Sequence, residues 1–124
     1  MMITFLYHDG FEKEIAALEK RRLRYIRKSL EGFQKLCEVH FHPLCPQTRI
    51  ASGKLHRIMQ NDLWAIWKTE LPIIHSGLRP NQYPRIWFSV SGGAIAFLVV
   101  SSHIDNYSDK EMDSLALSRV SDFF

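Results

Sequence analysis

His103 stands just past an apolar run, in the segment Ser101-Ser102-His103-Ile104-Asp105-Asn106-Tyr107. Imidazole gives or takes a proton near neutral pH, so a histidine at the end of a strand is a candidate general acid or base. Arg85 opens the run PRIWFSVSGGAIAFLVV, and a guanidinium forks well onto phosphate oxygens. Strict alternation over Arg85–Ser91 puts Trp87 on the same side as Arg85. Aromatic faces on a sheet stack bases, which makes Trp87 the first candidate among Trp64, Trp67 and Trp87 for contact with RNA, although tryptophans also fill cores. Lys54, His56 and Arg57 form a basic cluster after a proline-containing loop, and Lys54 or Arg57 could hold a phosphate. A histidine and an arginine at one end of a sheet could together bind a phosphate and move a proton beside it.

A second constellation, Cys37-x-x-His40-x-His42-x-x-Cys45, gathers zinc-capable side chains. Its arms are too short to close comfortably around one ion, and Cys37 also fits a helical apolar stripe. We therefore read it as structural thiols and histidines and expect no metal. No Gly-rich phosphate loop, Ser/His/Asp spacing or paired-carboxylate signature stands out, which sets aside nucleotide hydrolysis and serine-hydrolase chemistry.

Periodicity predicts the elements that must position these residues. Ile3 to Tyr7 is a short first strand. Asp9 and Glu12 resemble a capping box. Phe11, Ile15 and Leu18, then Leu23, Ile26, Leu30, Phe33 and Cys37, recur three and four apart, as in one long helix or a hairpin broken near residues 20–22. Gly32 weakens the second pattern by about 1 kcal/mol relative to Ala. Pro43 to Gly53 reads as a loop. Leu63 to Thr69 reads as an interior strand, apolar on both faces. Pro72 to Pro84 is a loop long enough to suggest a role of its own. Ile86, Phe88 and Val90 share one face of the next strand. Ile95, Phe97 and Val99 share one face of the last, after a Gly92-Gly93 hairpin turn. Ser108 to Glu111 starts a final helix with Met112, Leu115, Ala116 and Val120 as its stripe. The order predicts a single α+β domain over 1–124. A small, mainly antiparallel (mixed) sheet carries N-terminal helices and a C-terminal helix packed on one face, leaving the other face free.

The 124 residues suffice for one domain, and 46% hydrophobic content suffices for a core. No apolar stretch reaches transmembrane length, and the N-terminus lacks a signal-peptide pattern. With two cysteines in a chain that needs no staple, the expected compartment is the reducing cytoplasm. Charge is uneven. Residues 1–19 carry net −3, residues 20–85 net +9 and residues 86–124 net −3. A basic middle favours a polyanionic partner such as nucleic acid.

The order and spacing of several segments resemble the RelE/ParE superfamily of toxins from type II toxin–antitoxin systems, in its RelE/HigB-like branch. These segments are Phe11 to Leu18 (Phe-x-Lys-Glu-Ile-x-x-Leu), Leu63-Trp64-x-Ile66, Pro84-Arg85-Ile86-x-Phe88, Gly93-x-Ile95-x-Phe97-Leu98 and the closing Lys110 to Asp122. The resemblance spans nearly the whole chain. It implies a ribosome-dependent mRNA endonuclease that blocks translation without a cofactor, with mRNA and ribosome as partners. It also implies silencing by a cognate antitoxin, expected to be a helix-turn-helix protein. By the same resemblance Arg85 matches the arginine on the scissile phosphate. Lys54 and Arg57 match the basic segment before the second strand, and Tyr107 stacks a base or donates a proton. The ParE branch would instead imply a gyrase inhibitor without RNase chemistry. A non-catalytic binding module on the same scaffold is the third alternative. This chain departs from the pattern in its enlarged helical part, in the long loop before Arg85, and in having His103 to Tyr107 where many members carry several Lys or Arg.

Overall fold

Apolar residues three and four apart along Phe11–Leu18 and Ile26–Cys37 can be buried together only on helices. They are buried on two, α1 (Asp9–Arg21) and α2 (Ile26–His40). The computed structural model describes residues 3–21, 23–102 and 109–124. The remaining elements are β1 (Thr4–Tyr7), β2 (His56–Gln60), β3 (Ala65–Glu70), β4 (Arg85–Ser91), β5 (Ala94–Ser101) and α3 (Asp109–Val120). The fold is α+β, as predicted. Its five-stranded sheet has the order β1-β5-β4-β3-β2 and is mixed, because β1 runs parallel to β5 while the other pairs are antiparallel. Leu63–Thr69 corresponds to β3, an interior strand between β2 and β4.

Two apolar layers enclose the sheet. Phe11, Ile15 and Leu18 of α1 and Ile26, Leu30, Phe33 and Cys37 of α2 pack on Ile86, Phe88, Ile95 and Phe97. Ala116 and Val120 of α3 pack on Ile66, Trp87, Ala96, Leu98 and Val99. Each large apolar side chain so buried is worth about 1.5–3 kcal/mol. The expectation of a face left wholly free is thus corrected: the N-terminal helices share one face and α3 covers much of the other. A two-sided apolar β5, with Ala96 and Leu98 opposite Ile95 and Phe97, needs a cover on each side.

Three local details depart from simple periodicity. First, β2 carries no strand signal in the sequence, because HRIMQ is an exposed edge strand with little apolar content. Asn61 closes its hairpin to β3, with Oδ1 accepting the N–H groups of Leu63 and Trp64 at 2.8 and 2.9 Å. Second, the helix start shifts by one residue. The Nδ1 of His8, in place of Asp9, accepts the Gly10 N–H at 3.0 Å, while its Nε2 lies 2.6 Å from Asp122 Oδ2. An acceptor at Nδ1 makes Nε2 the donor to that carboxylate. Third, β5 carries a bulge. Trp87 pairs with Val99 but Phe88 with Phe97, so Leu98 is the additional residue. Val99 is thereby turned toward α3 and Val100 toward α1 and α2, which breaks the predicted alternation Ile95, Phe97, Val99.

The bulge frees backbone groups that need partners. Arg119 Nη1 donates to Leu98 O at 2.7 Å, and Val100 N donates to Glu14 Oε1 at 3.1 Å. Arg119 and Glu14 also pair with each other at 2.9 Å. One ion pair thus ties α1 and α3 to the irregular point of β5. Burial pushes the Glu14 carboxyl above its ordinary pKa against the lowering effect of the Val100 N–H and of Arg119. At the neighbouring hairpin Gly92 takes φ 55°, which the turn from β4 to β5 requires.

Candidate functional site

A cleft of about 380 Å³ opens at the end of the sheet where β2, β3 and β4 meet the start of α3. The pairing His56↔Lys68↔Trp87 and the pairing Glu70↔Arg85 set these residues across neighbouring strands on the α3 side. Trp87 lies under α3. His56, Lys68, Glu70 and Arg85 lie toward the end of the sheet and line the cleft together with Lys54 and Asp109. Lys54 arrives from a 3-10 turn, Ser52–Lys54, whose last carbonyl accepts a hydrogen bond from Thr69 Oγ1 at 2.7 Å.

Asp109, the first residue of α3, binds the cations in the floor. Its two carboxylate oxygens each lie 2.6 Å from Arg85 Nη1, and Lys68 Nζ lies 3.2 Å from Oδ2. Partial burial acts to raise the Asp109 pKa, but the hydrogen bonds and charges of Lys68 and Arg85 outweigh it and hold the carboxyl below its ordinary range. Lys68 and Arg85 are largely sequestered, with side chains 16% and 27% exposed. Their charges consequently act through less water than surface charges do. Lys68 Nζ also lies 5.8 Å from the centre of the Trp87 ring. The cleft therefore offers two held cations, a third from Lys54, an imidazole from His56 and a carboxylate from Glu70. This set can bind a phosphodiester and move a proton beside it.

Of the residues singled out from sequence, Arg85 and Lys54 come together in this cleft. Arg57 does not. It pairs with Trp67 across the strands, its guanidinium lies 5.8 Å from the Trp67 ring centre, and it donates to Gln60 Oε1 at 2.8 Å. Because Trp67 packs with the α1–α2 layer, Arg57 sits on the opposite side of the sheet from the cleft. Trp87 is corrected outright as a stacking surface: it is fully buried, and its Nε1 donates to Asp113 Oδ1 at 2.8 Å. His103 and Tyr107 lie outside the described residues. In sequence they fall between Ser101, which pairs with Arg85, and Asp109, which lines the cleft.

Lys68 is the cleft residue that sequence reasoning passed over, and His56 was read only as part of a basic cluster, with no role in the site. Lys68 carried a usable signal as the lone cation inside an apolar strand. His56 carried one only for a reader who recognises β2 as a strand, since alternation then separates His56 from Arg57.

Cys37 is buried, and that burial, with the Glu38 charge, pushes its thiol far above the ordinary range. Cys45 is exposed. His40 Nδ1 accepts the N–H groups of Arg49 and Ile50 at 3.1 and 3.2 Å. His42 Nδ1 accepts those of Leu44 and Cys45 at 3.2 and 3.0 Å. These rings fold the loop after α2, and burial lowers the His40 pKa. Among the described residues no cluster of three or more His, Cys, Asp or Glu is placed to hold a metal, and no helix is long and apolar enough to cross a membrane.

Compared with protein-family models, curated proteins and solved structures, the chain matches none.

Proposed function

We propose that this protein is a RelE-like toxin that cuts mRNA on the ribosome, and that the cleft between β3, β4 and α3 is where the scissile phosphate sits. The observation that carries this reading is the convergence of Lys54, His56, Lys68 and Arg85 on one cavity at the sheet end. Arg85 and Lys68 take two phosphate oxygens, and Lys54 approaches from the open side. A base removes the 2′-OH proton, O2′ attacks phosphorus, the P–O5′ bond breaks and the 5′-oxygen leaves with a proton. The products are a 2′,3′-cyclic phosphate and a 5′-hydroxyl. His56 is assigned one proton transfer. His103 is assigned the other on sequence grounds alone. Asp109 holds Arg85 and Lys68 in place and surrenders part of their donor capacity to the incoming phosphate. An antitoxin would silence the protein by denying RNA this cleft, in the cytoplasm where translation occurs.

The test is induced expression of the chain alone. Wild type should arrest growth and leave cut mRNA, Lys68→Ala and Arg85→Ala should relieve the arrest, and Arg57→Ala should not. Arrest with intact mRNA and damaged DNA would move the protein to the gyrase-inhibitor reading. Undisturbed growth would remove the toxin reading altogether.

A further inference from the structure

The long loop before Arg85 builds something the cleft does not use. It leaves β3 at Leu71 and packs back on α2. Ile73 and Leu71 are buried, and Ile74 N donates to Ser29 Oγ at 3.1 Å. His75 and Gly77 take φ values of 54° and 71° to turn it, and Pro80–Gln82 forms a short 3-10 turn. Between this loop and α2 lies a second cavity of about 260 Å³. Its walls are mainly apolar or aromatic, with Phe33 and Leu36 from α2, Ile50, and Pro72, Pro80 and Tyr83 from the loop. Leu36 is 41% exposed in spite of its place there.

Three residues, Lys54, Thr69 and Glu70, line both this cavity and the cationic cleft. The two spaces therefore adjoin across the end of β3. One is suited to an anion and the other to a small flat apolar body. At about the lower limit of ligand pockets, roughly 300 Å³, the second space has no room for a folded partner. Arg49 stands at its rim, with Nη2 donating to Gln47 Oε1 at 2.9 Å.

We infer that the apolar cavity is a nucleobase subsite, holding a base of the same single-stranded RNA whose phosphate lies in the cleft. A nucleotide joins a phosphate to a flat aromatic ring through one sugar, and Lys54, Thr69 and Glu70 line both spaces. The inference rests on the phosphate-binding reading of the cleft. It supplies the base contact that buried Trp87 cannot.

Binding of a 2′-O-methylated RNA hexanucleotide, which resists cleavage, should be compared with that of an abasic hexamer of the same charge. The base-bearing oligomer should bind about tenfold more tightly, the scale of one base held on an aromatic or apolar wall. Leu36→Ala and Tyr83→Ala should each erase most of that advantage, while Arg85→Ala should weaken both oligomers alike. Leu36 is exposed on a helix, so its replacement by Ala is compatible with folding. Equal affinity of the two oligomers in wild type would overturn the base subsite and leave the phosphate site standing. An advantage that survives both pocket substitutions would place the base elsewhere and overturn it too. Failure of both oligomers to bind would remove the phosphate reading and this inference with it.

Discussion

At the scale of single residues, Asp109 is the group whose charge state the cleft controls most directly. It lies between Lys68 and Arg85, and its pKa is held below the ordinary 3.8. The sign of the consequence follows from linkage: a carboxyl depressed in the folded state adds stability above its unfolded value, and that stability is lost as pH falls through the folded value. Wild type should therefore be more stable than Asp109→Asn at neutral pH, with the margin shrinking below about pH 4 and vanishing in stronger acid. Denaturant titration of both proteins across that range would show it. A margin independent of pH would mean that the ion pairs do not set this carboxyl. Arg85 was legible in the sequence because it opens an alternating strand. The fate of Trp87, on the same face, was not. The same side of the same strand is floor for a cleft at Arg85 and core beneath α3 at Trp87, and strand alternation carries no information on where a covering helix ends.

At the scale of elements, the ion pair at the β5 bulge is the joint of the fold. A Cβ on Gly10 would fall 2.9 Å from Arg119 Nη1 and closer still to Cζ and Nη2 of the same guanidinium. That group is held by Leu98 O and by Glu14, so it cannot move aside without releasing both. Gly10→Ala should cost about 1–3 kcal/mol, the scale of leaving a buried charged donor and a carbonyl poorly paired, which outweighs the gain of up to about 1 kcal/mol from helix propensity. Gly32 is the contrasting case. It lies exposed in the interior of α2, and a methyl group added there would meet nothing within 4 Å. Gly32→Ala should stabilise by about 0.5–1 kcal/mol. Thermal or urea unfolding of the two variants should move in opposite directions, and a Gly10→Ala variant as stable as wild type or more so would contradict the reading of Arg119. Most elements were legible because the helices and the interior strands carry strong periods of 3.6 and 2. The edge strand β2 was not, since a half-exposed edge buries too little to write a pattern. Nor was the bulge, since β5 is apolar on both faces and one additional residue leaves no break in composition.

At the scale of the whole molecule, the described residues cover the sheet with helices on both faces and leave a cleft at one end. The basic middle of the chain supplies that opening with Lys54, His56, Lys68 and Arg85. The uneven charge of the sequence pointed to a polyanion, but not to which of thirteen bases in residues 20–85 would converge. Convergence depends on strand register, and the place of His56 in it depends on the unrecognised β2. The most direct test of the account is cleavage of a defined mRNA by the purified protein on programmed ribosomes, read by mapping new 5′ ends. Wild type should produce discrete cuts with 5′-hydroxyl ends, and Arg85→Ala should slow them by about 10²-fold or more, the scale of removing one preorganised charge from a developing oxyanion. Intact mRNA with wild type, or equal rates with Arg85→Ala, would contradict the assignment of this cleft as the site where RNA is cut.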